Sequence, residues 1–275
     1  MLKTRIITAI VLLAILLPVL FLLPPIYFGA LVALVLVLAS WEWWRLIFPD
    51  HSRLAIAYAI ATLLHMLIWI FVINLAWIHY LIASLAIVWL FFVPYLMSQT
   101  TRLNLATYAP WLAVFGFFLI PGLWFSVMHI RSFGLLFLLS VFLIVWGADI
   151  GAYFAGKLFG KNKLAPQLSP GKTIEGAIGG LAAVLLMAAL SLIYEIPGIF
   201  LTLYELGGLL TLGSLVIALV ALSIMGDLFE SQLKRLAGVK DSSNLLPGHG
   251  GILDRIDALM PVLPVTAILL ILLAQ

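Results

Sequence analysis

Cysteine is absent from the 275 residues of this chain, and charged side chains are scarce, at 9% of the sequence. Without cysteine the chain can form no disulfide bond and can carry out no thiol chemistry. Hydrophobic residues make up 65% of the sequence, and the mean hydropathy is +1.26. No soluble fold could keep so much apolar surface out of water, whereas membrane spans of about 20 apolar residues can. The composition therefore predicts an integral membrane protein.

Long apolar runs divide the chain into about nine predicted transmembrane helices, so the expected fold class is an all-α, polytopic integral membrane protein. The first run follows Lys3 and Arg5 as a signal peptide would. Because it lacks a small-residue cleavage site, we interpret it as a retained first helix. The predicted spans are 6–23, 26–47, 54–73, 75–97, 109–128, 133–159, 174–194, 207–228 and 257–273.

Basic residues are distributed unevenly between the two sides that nine spans define. Every lysine and arginine except Arg131 falls at the N-terminus or in every second loop. By the positive-inside rule these segments are cytoplasmic, which places the N-terminus inside and the C-terminus outside. We expect residues 1–132 to supply packing, a lipid-facing wall and an oligomer interface. Residues 133–275 are expected to form a catalytic membrane region with cytoplasmic loops 157–173 and 229–256.

Charge is concentrated between Asp227 and Asp257, where nine of the chain's 14 basic and 11 acidic residues stand. The spacing of Asp227, Glu230 and Lys234 puts them on one face of a helix, and Asp254 and Asp257 share a face of the next. A folded loop could bring the three aspartates together. Carboxylate oxygens suit a hard cation such as Mg²⁺, which completes its shell with water and substrate phosphates. We therefore predict a metal site made by these three aspartates.

The loop between the two helices is basic and rich in glycine. It contains Lys240 and Asp241, followed by Pro-Gly-His-Gly-Gly at 247–251. Glycine lets backbone N–H groups approach an anion closely, and lysine neutralises the anion. Carboxylates for a metal, beside cations and glycine backbone, predict a site for the phosphates of a nucleotide.

The sixth predicted span carries an acid about two turns inside its cytoplasmic end. Asp149, Tyr153 and Lys157 are four residues apart and share one helix face. A carboxylate inside a membrane is costly and faces a polar cavity or a partner. Two interpretations remain open, since Asp149 could pair with Lys157 or an arginine as a structural contact, or could bind substrate or metal.

Small residues at four-residue spacing in the sixth and seventh spans predict close packing of these helices. They are Gly147 and Gly151, Gly156 and Gly160, and Gly176 and Gly180.

Lys172 belongs to a second basic loop, which ends in Ser-Pro-Gly-Lys-Thr-Ile-Glu-Gly at 169–176. Its Gly-Lys-Thr is similar to the end of a P-loop. However, Pro166 stands where the first glycine of that motif is needed, and no parallel sheet is predicted. A lysine beside a helix N-terminus still favours a phosphate.

Both charged segments resemble the signatures of the phosphatidate cytidylyltransferases, also called CDP-diacylglycerol synthases. The longer one matches at every signature position and reads Ser231-x-x-Lys234-Arg235, Lys240-Asp241, Pro247-x-His249-Gly250-Gly251 and Asp254-Arg255-x-Asp257. The resemblance implies an enzyme that converts CTP and phosphatidate to CDP-diacylglycerol and pyrophosphate with Mg²⁺, with a second cation as an option. It further implies phospholipid biosynthesis among the lipids of a bacterial cytoplasmic (inner) membrane. A homodimer is plausible from the resemblance alone, and no nucleic-acid partner is expected.

The candidate roles combine residue chemistry with this resemblance. Asp227, Asp254 and Asp257 are assigned to the metal. The catalytic and phosphate-binding candidates are Lys172, Ser231, Lys234, Arg235, Lys240, Asp241, His249 and Arg255, and the further substrate-binding candidates are Gly250, Gly251 and Asp149. For Ser231 a helix cap or a bond to the helix backbone stays open as an alternative, and for His249 a structural contact within the turn.

Two other classes of function explain less of the chain. A membrane lipid kinase that uses CTP would transfer a phosphoryl group to a polyprenol or phytol alcohol, and the complete signature argues against it. A transporter would account for nine spans and a buried Asp149. It would not account for a concentrated cytoplasmic site, and no inverted repeat is evident.

A tryptophan cluster stands at the predicted cytoplasmic end of the second span. We interpret Trp41, Trp43 and Trp44 as part of an interfacial aromatic belt, with Glu42 and Arg45 solvated beside them.

Overall fold

The computed structural model describes residues 2–99 and 104–273, without the side chains of residues 2–9, 12 and 13. The side chains of Lys3, Arg5 and Arg102, which were assigned to the cytoplasmic side, therefore lie outside the described part. Gln275, at the end predicted to be external, lies outside it as well.

The described chain is built almost entirely of helices, as expected from its composition. A 3₁₀ turn, Pro49–Leu54, leads into α3, and a π-helical turn, Val88–Phe92, joins α4 to α5. The helices are α1 (Leu2–Phe21), α2 (Pro25–Ile47), α3 (Ala55–Phe71), α4 (Leu75–Ile87), α5 (Val93–Ser98), α6 (Leu105–Ser132), α7 (Leu135–Phe159), α8 (Ile174–Ile193), α9 (Ile199–Leu236), α10 (Leu253–Ile256) and α11 (Leu259–Leu273). One antiparallel hairpin interrupts this pattern, formed by β1 (Lys163–Ala165) and β2 (Ser169–Thr173).

Seven helical stretches of the described chain are long and apolar enough to cross a membrane. They are Pro25–Ile47, Pro49–Phe71, Leu75–Ser98, Leu105–Ser132, Leu135–Phe159, Ile174–Ile193 and Ile199–Leu236. The two remaining predicted spans fall on α1, whose side chains are described only in part, and on α11, which has 15 residues. Length and hydropathy thus establish a membrane protein with several spans, and they support seven of the nine that we expected.

Helices α7 and α8 pack closely through their glycines, which confirms the prediction from small-residue spacing. A Cβ atom at Gly151 would lie 2.8 Å from the carbonyl oxygen of Gly179. A Cβ atom at Gly180 would lie 2.5 Å from the carbonyl oxygen of Ala148. Because real Cβ atoms do not approach backbone oxygens so closely, only glycine permits this spacing of the two helix backbones.

Replacing Gly180 with alanine is therefore expected to destabilise the protein by about 1–3 kcal/mol, since the added methyl group must push the two helix backbones apart. The matched control is Gly213→Ala in α9, where an added Cβ atom meets nothing within 4 Å. Alanine favours a helix over glycine by about 1 kcal/mol, so the control should be neutral or stabilising. Thermal unfolding of the purified proteins in detergent measures both. Equal unfolding temperatures for the two variants would contradict the packing argument.

Helix α9 is longer than predicted at both ends. Its backbone leaves helical geometry at Gly207 and Gly208, where the predicted span begins, and the helix then continues to Leu236 instead of ending at Leu228. Gly238, with a φ of 72°, closes its C-terminal end, and the next residue, Val239, donates to the carbonyl of Lys234 at 2.9 Å. This is the Schellman arrangement that glycine favours. The candidates Ser231, Lys234 and Arg235 therefore lie on α9, as the helical spacing of Asp227, Glu230 and Lys234 predicted, and not in the expected loop 229–256.

The C-terminal end of α2 is buried, so the interpretation of Trp43 as part of an interfacial belt is wrong. Trp43 is 1% exposed and donates its indole N–H to the carbonyl of Leu112 in α6 at 2.9 Å. Its ring also lies 6.4 Å from that of Phe229 in α9. Trp41 remains partly exposed and has the Arg45 guanidinium 4.4 Å from its ring centroid. The tryptophan cluster thus contains one packing residue, Trp43, beside the partly exposed Trp41 and Trp44.

Three charged segments that are distant in sequence meet on one side of the helical bundle. The Arg235 side chain at the end of α9 lies 3.4 Å from the carbonyl of Leu168 in the hairpin. The backbone N–H of Leu253, after the loop 237–252, lies 2.7 Å from the Glu42 carboxylate at the end of α2. The ends of α2, α7 and α9 therefore share one side, as the alternation of basic loops predicts.

Candidate active site

A cavity of about 440 Å³ lies between α7, α8, α9 and the second hairpin strand. Its apolar walls come from the membrane helices, with Ala148, Ala177 and Val220 among the lining residues. Its polar groups come from α7, β2 and α9, and they are Asp149, Tyr153, Lys157, Lys172, Thr173 and Asp227. The cavity thus joins a charged end to apolar walls within the membrane helices.

The hairpin holds Lys172 at the cavity wall. Lys163 in β1 pairs with Thr173 in β2, and the Thr173 hydroxyl accepts from the backbone N–H of Gly176, which caps α8. The Glu175 carboxylate accepts from the backbone N–H groups of Lys161 and Asn162 at 3.1 and 3.2 Å, which closes the base of the hairpin. Lys172 is thereby fixed one residue before the N-cap of α8, where the sequence predicted a phosphate-binding lysine.

Lys172 and Asp227 form an ion pair across the cavity, with Nζ and Oδ2 2.6 Å apart and about a quarter of each side chain exposed. Asp149 also lines this cavity and interacts electrostatically with Asp227, Lys172 and Arg255. The expectation that Asp149 faces a polar cavity is therefore met. The opposite charges that act on it include those of Lys172 and Arg255, so an arginine, one of the structural partners considered, is among them.

A second group of charges lies beside the cavity and is more deeply buried. The Lys234 ammonium group contacts the Glu230 carboxylate one turn before it and lies 2.5 Å from Oδ1 of Asp254. Glu230 is fully buried, and the Lys234 residue is 9% exposed. Lys234 was a candidate for phosphate binding, and in this structure two carboxylates already neutralise it.

The carboxylate of Asp254 is surrounded by donors from the protein itself. Besides Lys234 on Oδ1, the backbone N–H and hydroxyl of Ser242 lie 2.9 Å from Oδ2, and the backbone N–H of Gly251 lies 2.8 Å from it. Burial acts to raise the pKa of Asp254, but the bond from Lys234 and those from Gly251 and Ser242 outweigh burial and hold this pKa below its usual value. Asp254 is therefore an ionised carboxylate that organises the loop around it.

The glycine-rich loop is shaped by positive φ angles and by contacts of its own. Gly248 and Gly250 have φ values of 78° and 81°, which favour glycine, and a bridge pairs Leu246 with Gly250. The Arg255 guanidinium donates to the carbonyl of His249 at 3.0 and 2.6 Å. The structural turn contact that we left open for His249 is thus present through its backbone, and its side-chain Nδ1 is buried without a hydrogen bond.

The structure separates most of the predicted site residues into three groups, which are a cavity group, the buried pair of Lys234 and Asp254, and an exposed group. Asp149, Lys172 and Asp227 are among the described residues that line the cavity, and the other candidates are not. Ser231 lies beside the cavity group, with its hydroxyl 3.4 Å from Asp227 Oδ1, which fits neither the cap nor the bond to the helix backbone. The exposed group on the loop side consists of Arg235, Lys240, Asp241 and Arg255.

The predicted cluster of three metal-binding aspartates is not formed. Within residues 2–99 and 104–273, no group of three or more His, Cys, Asp or Glu side chains is placed to hold one metal ion. Asp254 does not belong to such a cluster, since its oxygens accept hydrogen bonds from protein donors. Asp227 and Asp257 remain near each other, because Gly226 packs against Asp257, where a Cβ atom would lie 2.3 Å from the Asp257 carbonyl oxygen.

The prediction that Glu42 is solvated is wrong. Glu42, expected to be solvated, is 0% exposed and contacts the signature loop. The sequence feature that indicated a buried carboxylate was an acid between Trp41 and Trp43 at the end of an apolar helix. Arg45 is exposed, as expected.

Cations and carboxylates beside an apolar cavity between membrane helices are typical of the active site of an integral membrane enzyme. The model of the cytidylyltransferase family matches residues 3–273, so the chain belongs to this family and is a nucleotidyltransferase.

Curated relatives carry a more specific name. The chain is 41% identical to a phosphatidate cytidylyltransferase of Pseudomonas aeruginosa, over 98% of this chain and 97% of the relative. It is 36% identical to a phosphatidate cytidylyltransferase of Haemophilus influenzae, over 96% of each protein. It is also 50% identical to one from Staphylococcus haemolyticus over 51% of each protein.

Proposed function

We propose that this protein is a magnesium-dependent phosphatidate cytidylyltransferase of phospholipid biosynthesis, converting CTP and phosphatidate to CDP-diacylglycerol and pyrophosphate. The observation that carries the proposal is the cavity in which Lys172 and Asp227 meet the apolar walls of α7, α8 and α9. A soluble nucleotide and a membrane lipid both have to reach the reacting atoms, and this cavity offers a charged end to one and apolar walls to the other.

In the reaction, an oxygen of the phosphatidate phosphate attacks the α-phosphorus of CTP. A new phosphorus–oxygen bond forms, and the bond from the α-phosphorus to the oxygen bridging to the β-phosphorus breaks, so that pyrophosphate leaves with the electron pair. The attacking oxygen is already anionic and needs no strong base. The barrier comes from bringing two anions together, so positioning and positive charge dominate catalysis.

Lys172 supplies that positive charge from the cavity wall. Arg255 adds positive charge from α10, because its guanidinium interacts electrostatically with Asp149 in the cavity. Lys157 lines the cavity as well and is a third cation for phosphate oxygens. The lipid approaches along α7, whose Tyr153 lines the cavity and is 62% exposed. Lys240 and Arg235, on the solvent side, attract the nucleotide to the site.

The charge of the site supports a divalent cation. Five carboxylates interact electrostatically with one another and with the three cations Lys172, Lys234 and Arg255; they are Asp149, Asp227, Glu230, Asp254 and Asp257. When all are ionised and Lys157 at the cavity wall is counted as a fourth cation, negative charges exceed positive ones by one. A partly buried excess of this kind is costly, and a hard cation with oxygen ligands removes it.

We assign the Mg²⁺ ligands to Asp227 and Asp257, with the Ser231 hydroxyl beside them, and assign Asp254 a positioning role. Asp227 and Asp257 repel each other electrostatically, so a cation between them is favoured, whereas the Asp254 oxygens already accept from protein donors. When bound, Mg²⁺ neutralises charge on the phosphate oxygens and on the leaving pyrophosphate.

Cytidylyl transfer is tested by following two labels of CTP. Purified protein in lipid nanodiscs is given phosphatidate, Mg²⁺ and CTP labelled with ³²P at either the α or the γ position. The proposal expects label from the α position in the lipid fraction and label from the γ position in pyrophosphate. Label from the γ position in lipid would identify a lipid kinase instead, and unlabelled lipid in both reactions would refute transfer to phosphatidate.

We further propose that the site faces the cytoplasm of a bacterial cell, with the enzyme in the cytoplasmic membrane. The described basic residues other than Arg131 stand in the alternate loops that the sequence assigns to the side of the site. The relatives that match over 96% or more of this chain are bacterial. In this cysteine-free chain, Asn244→Cys should resist an impermeant thiol reagent added to intact cells, while Ser132→Cys should react. The reverse labelling pattern would invert the assigned orientation.

A further inference from the structure

We propose that Glu42 is a positioning residue that clamps the signature loop, residues 240–254, to helix α2. This inference rests on the proposed function for its effect on turnover, while the clamp itself is a structural claim. Glu42 belongs to residues 1–132, which were expected to supply packing, a lipid-facing wall and an oligomer interface. It contacts residues about 200 positions later.

The Glu42 carboxylate accepts three hydrogen bonds from the loop and lies near the Ser242 hydroxyl, whose single proton it shares with Asp254. Oε1 accepts from the Ser243 hydroxyl at 2.5 Å and from the backbone N–H of Ile252 at 3.0 Å. Oε2 accepts from the backbone N–H of Leu253 at 2.7 Å and lies 3.2 Å from the Ser242 hydroxyl. Both ends of the loop, at 242–243 and at 252–253, are therefore fixed to a single side chain.

These hydrogen bonds replace the ion pair that usually accompanies a buried carboxylate. Glu42 is 0% exposed, and the ion pairs found in the described part of the chain do not include it. A buried charge without a counter-ion is stable only when hydrogen bonds replace its lost water. The buried position of Glu42 therefore requires the loop donors, and the position of the loop requires the Glu42 carboxylate.

Hydrogen bonds connect Glu42 to the charged residues of the site. The Ser242 hydroxyl lies between Glu42 Oε2, at 3.2 Å, and Asp254 Oδ2, at 2.9 Å, and Asp254 in turn binds Lys234. Gly251 leaves room for this arrangement, because a Cβ atom there would lie 2.0 Å from the Ser242 hydroxyl and 2.5 Å from Glu42 Oε1. The glycine at this position serves the clamp rather than an approaching anion.

The backbone atoms held by Glu42 are those that begin α10. Fixing the N–H groups of Ile252 and Leu253 sets the direction of this helix, which carries Asp254 and Arg255 and leads directly to Asp257. Trp43, next to Glu42, anchors the same end of α2 against Phe229 of α9. Helix α2 thus positions the two segments that bear the site carboxylates relative to each other.

The test uses Glu42→Gln, which preserves shape but places an NH₂ group among donors, with Glu205→Gln as control at an exposed glutamate. A spin label on Asn244→Cys, the single thiol in the chain, reports loop mobility by EPR. We expect Glu42→Gln to mobilise the label and to lower kcat/KM for CTP at least tenfold per folded protein, with a higher KM. The control should leave both readouts unchanged.

The outcomes separate the clamp from a general loss of folding. Reduced turnover with normal KM and an unchanged spectrum would refute the positioning role, as would wild-type kinetics. If Glu42→Gln does not fold, Ser243→Ala removes one donor without changing charge, and a mobile label with raised KM is expected there as well. If the unsubstituted protein shows no cytidylyl transfer, the proposed function fails, and the EPR comparison still decides whether Glu42 holds the loop.

Discussion

Replacing Asp227 or Asp257 with asparagine is expected to reduce turnover at least a hundredfold while the protein still folds. A hundredfold loss corresponds to about 2.7 kcal/mol of transition-state stabilisation. The loss is electrostatic, because asparagine preserves volume but removes a charge that binds Mg²⁺. Stability should change little. Lys172, the partner of Asp227, is partly exposed and can be solvated, and an asparagine oxygen can still accept the Ala258 N–H now 2.8 Å from Asp257.

The matched control for both variants is Asp50→Asn, at an exposed aspartate in the turn after α2. Turnover is measured against Mg²⁺ concentration, Mn²⁺ binding by EPR, and stability by thermal unfolding. The two site variants should weaken Mn²⁺ binding and shift the Mg²⁺ dependence, and the control should do neither. Wild-type Mn²⁺ binding and turnover in both site variants would remove these aspartates from the metal site.

Replacing Lys234 with methionine is expected to destabilise the protein by about 3–5 kcal/mol, because the change strands two carboxylates that share one buried cation. The ammonium group now contacts both Glu230 and Asp254, and Glu230 is fully buried. Methionine has a similar length, so lost packing contributes little. Chemical unfolding in detergent gives the difference in free energy.

The destabilisation should shrink as the pH falls. Because the folded protein holds the pKa of Asp254 below its ordinary value, this residue contributes stability above the ordinary aspartate pKa of about 3.9. That contribution is lost as the pH falls through this range towards the lower pKa of the folded state. The control, Lys163→Met, alters an exposed lysine of β1 and should change stability by less than about 0.5 kcal/mol. A pH-independent difference, or equal effects of both substitutions, would show that the buried ion pairs do not stabilise the fold.

Local spacing predicted those parts of the site that lie on one helix. Asp227 and Ser231 are one turn apart on α9, and their side chains do face each other. The glycine spacing in α7 and α8 likewise predicted a close helix pair, because both partners of each contact follow a helical repeat. Hydropathy alone was sufficient for the class of fold.

Partners that are distant in sequence were not predictable in the same way. A lysine in a signature rich in cations could face a phosphate or a carboxylate, and only the fold shows that Lys234 faces Asp254. The pairing of Glu42 with Ile252 joins elements about 200 residues apart, and no periodicity connects them. Hydropathy also cannot distinguish an interfacial tryptophan from one buried between helices, which is why Trp43 was misassigned.

The interruption of α9 at Gly207 and Gly208 mechanically isolates the far end of this helix from the site. A helix passes bending and twisting along its length only while its hydrogen-bond ladder continues. The backbone leaves helical dihedrals at these two glycines, well before Asp227. A displacement of residues 199–206 is therefore taken up at these two non-helical glycines and is not passed along α9 to Asp227.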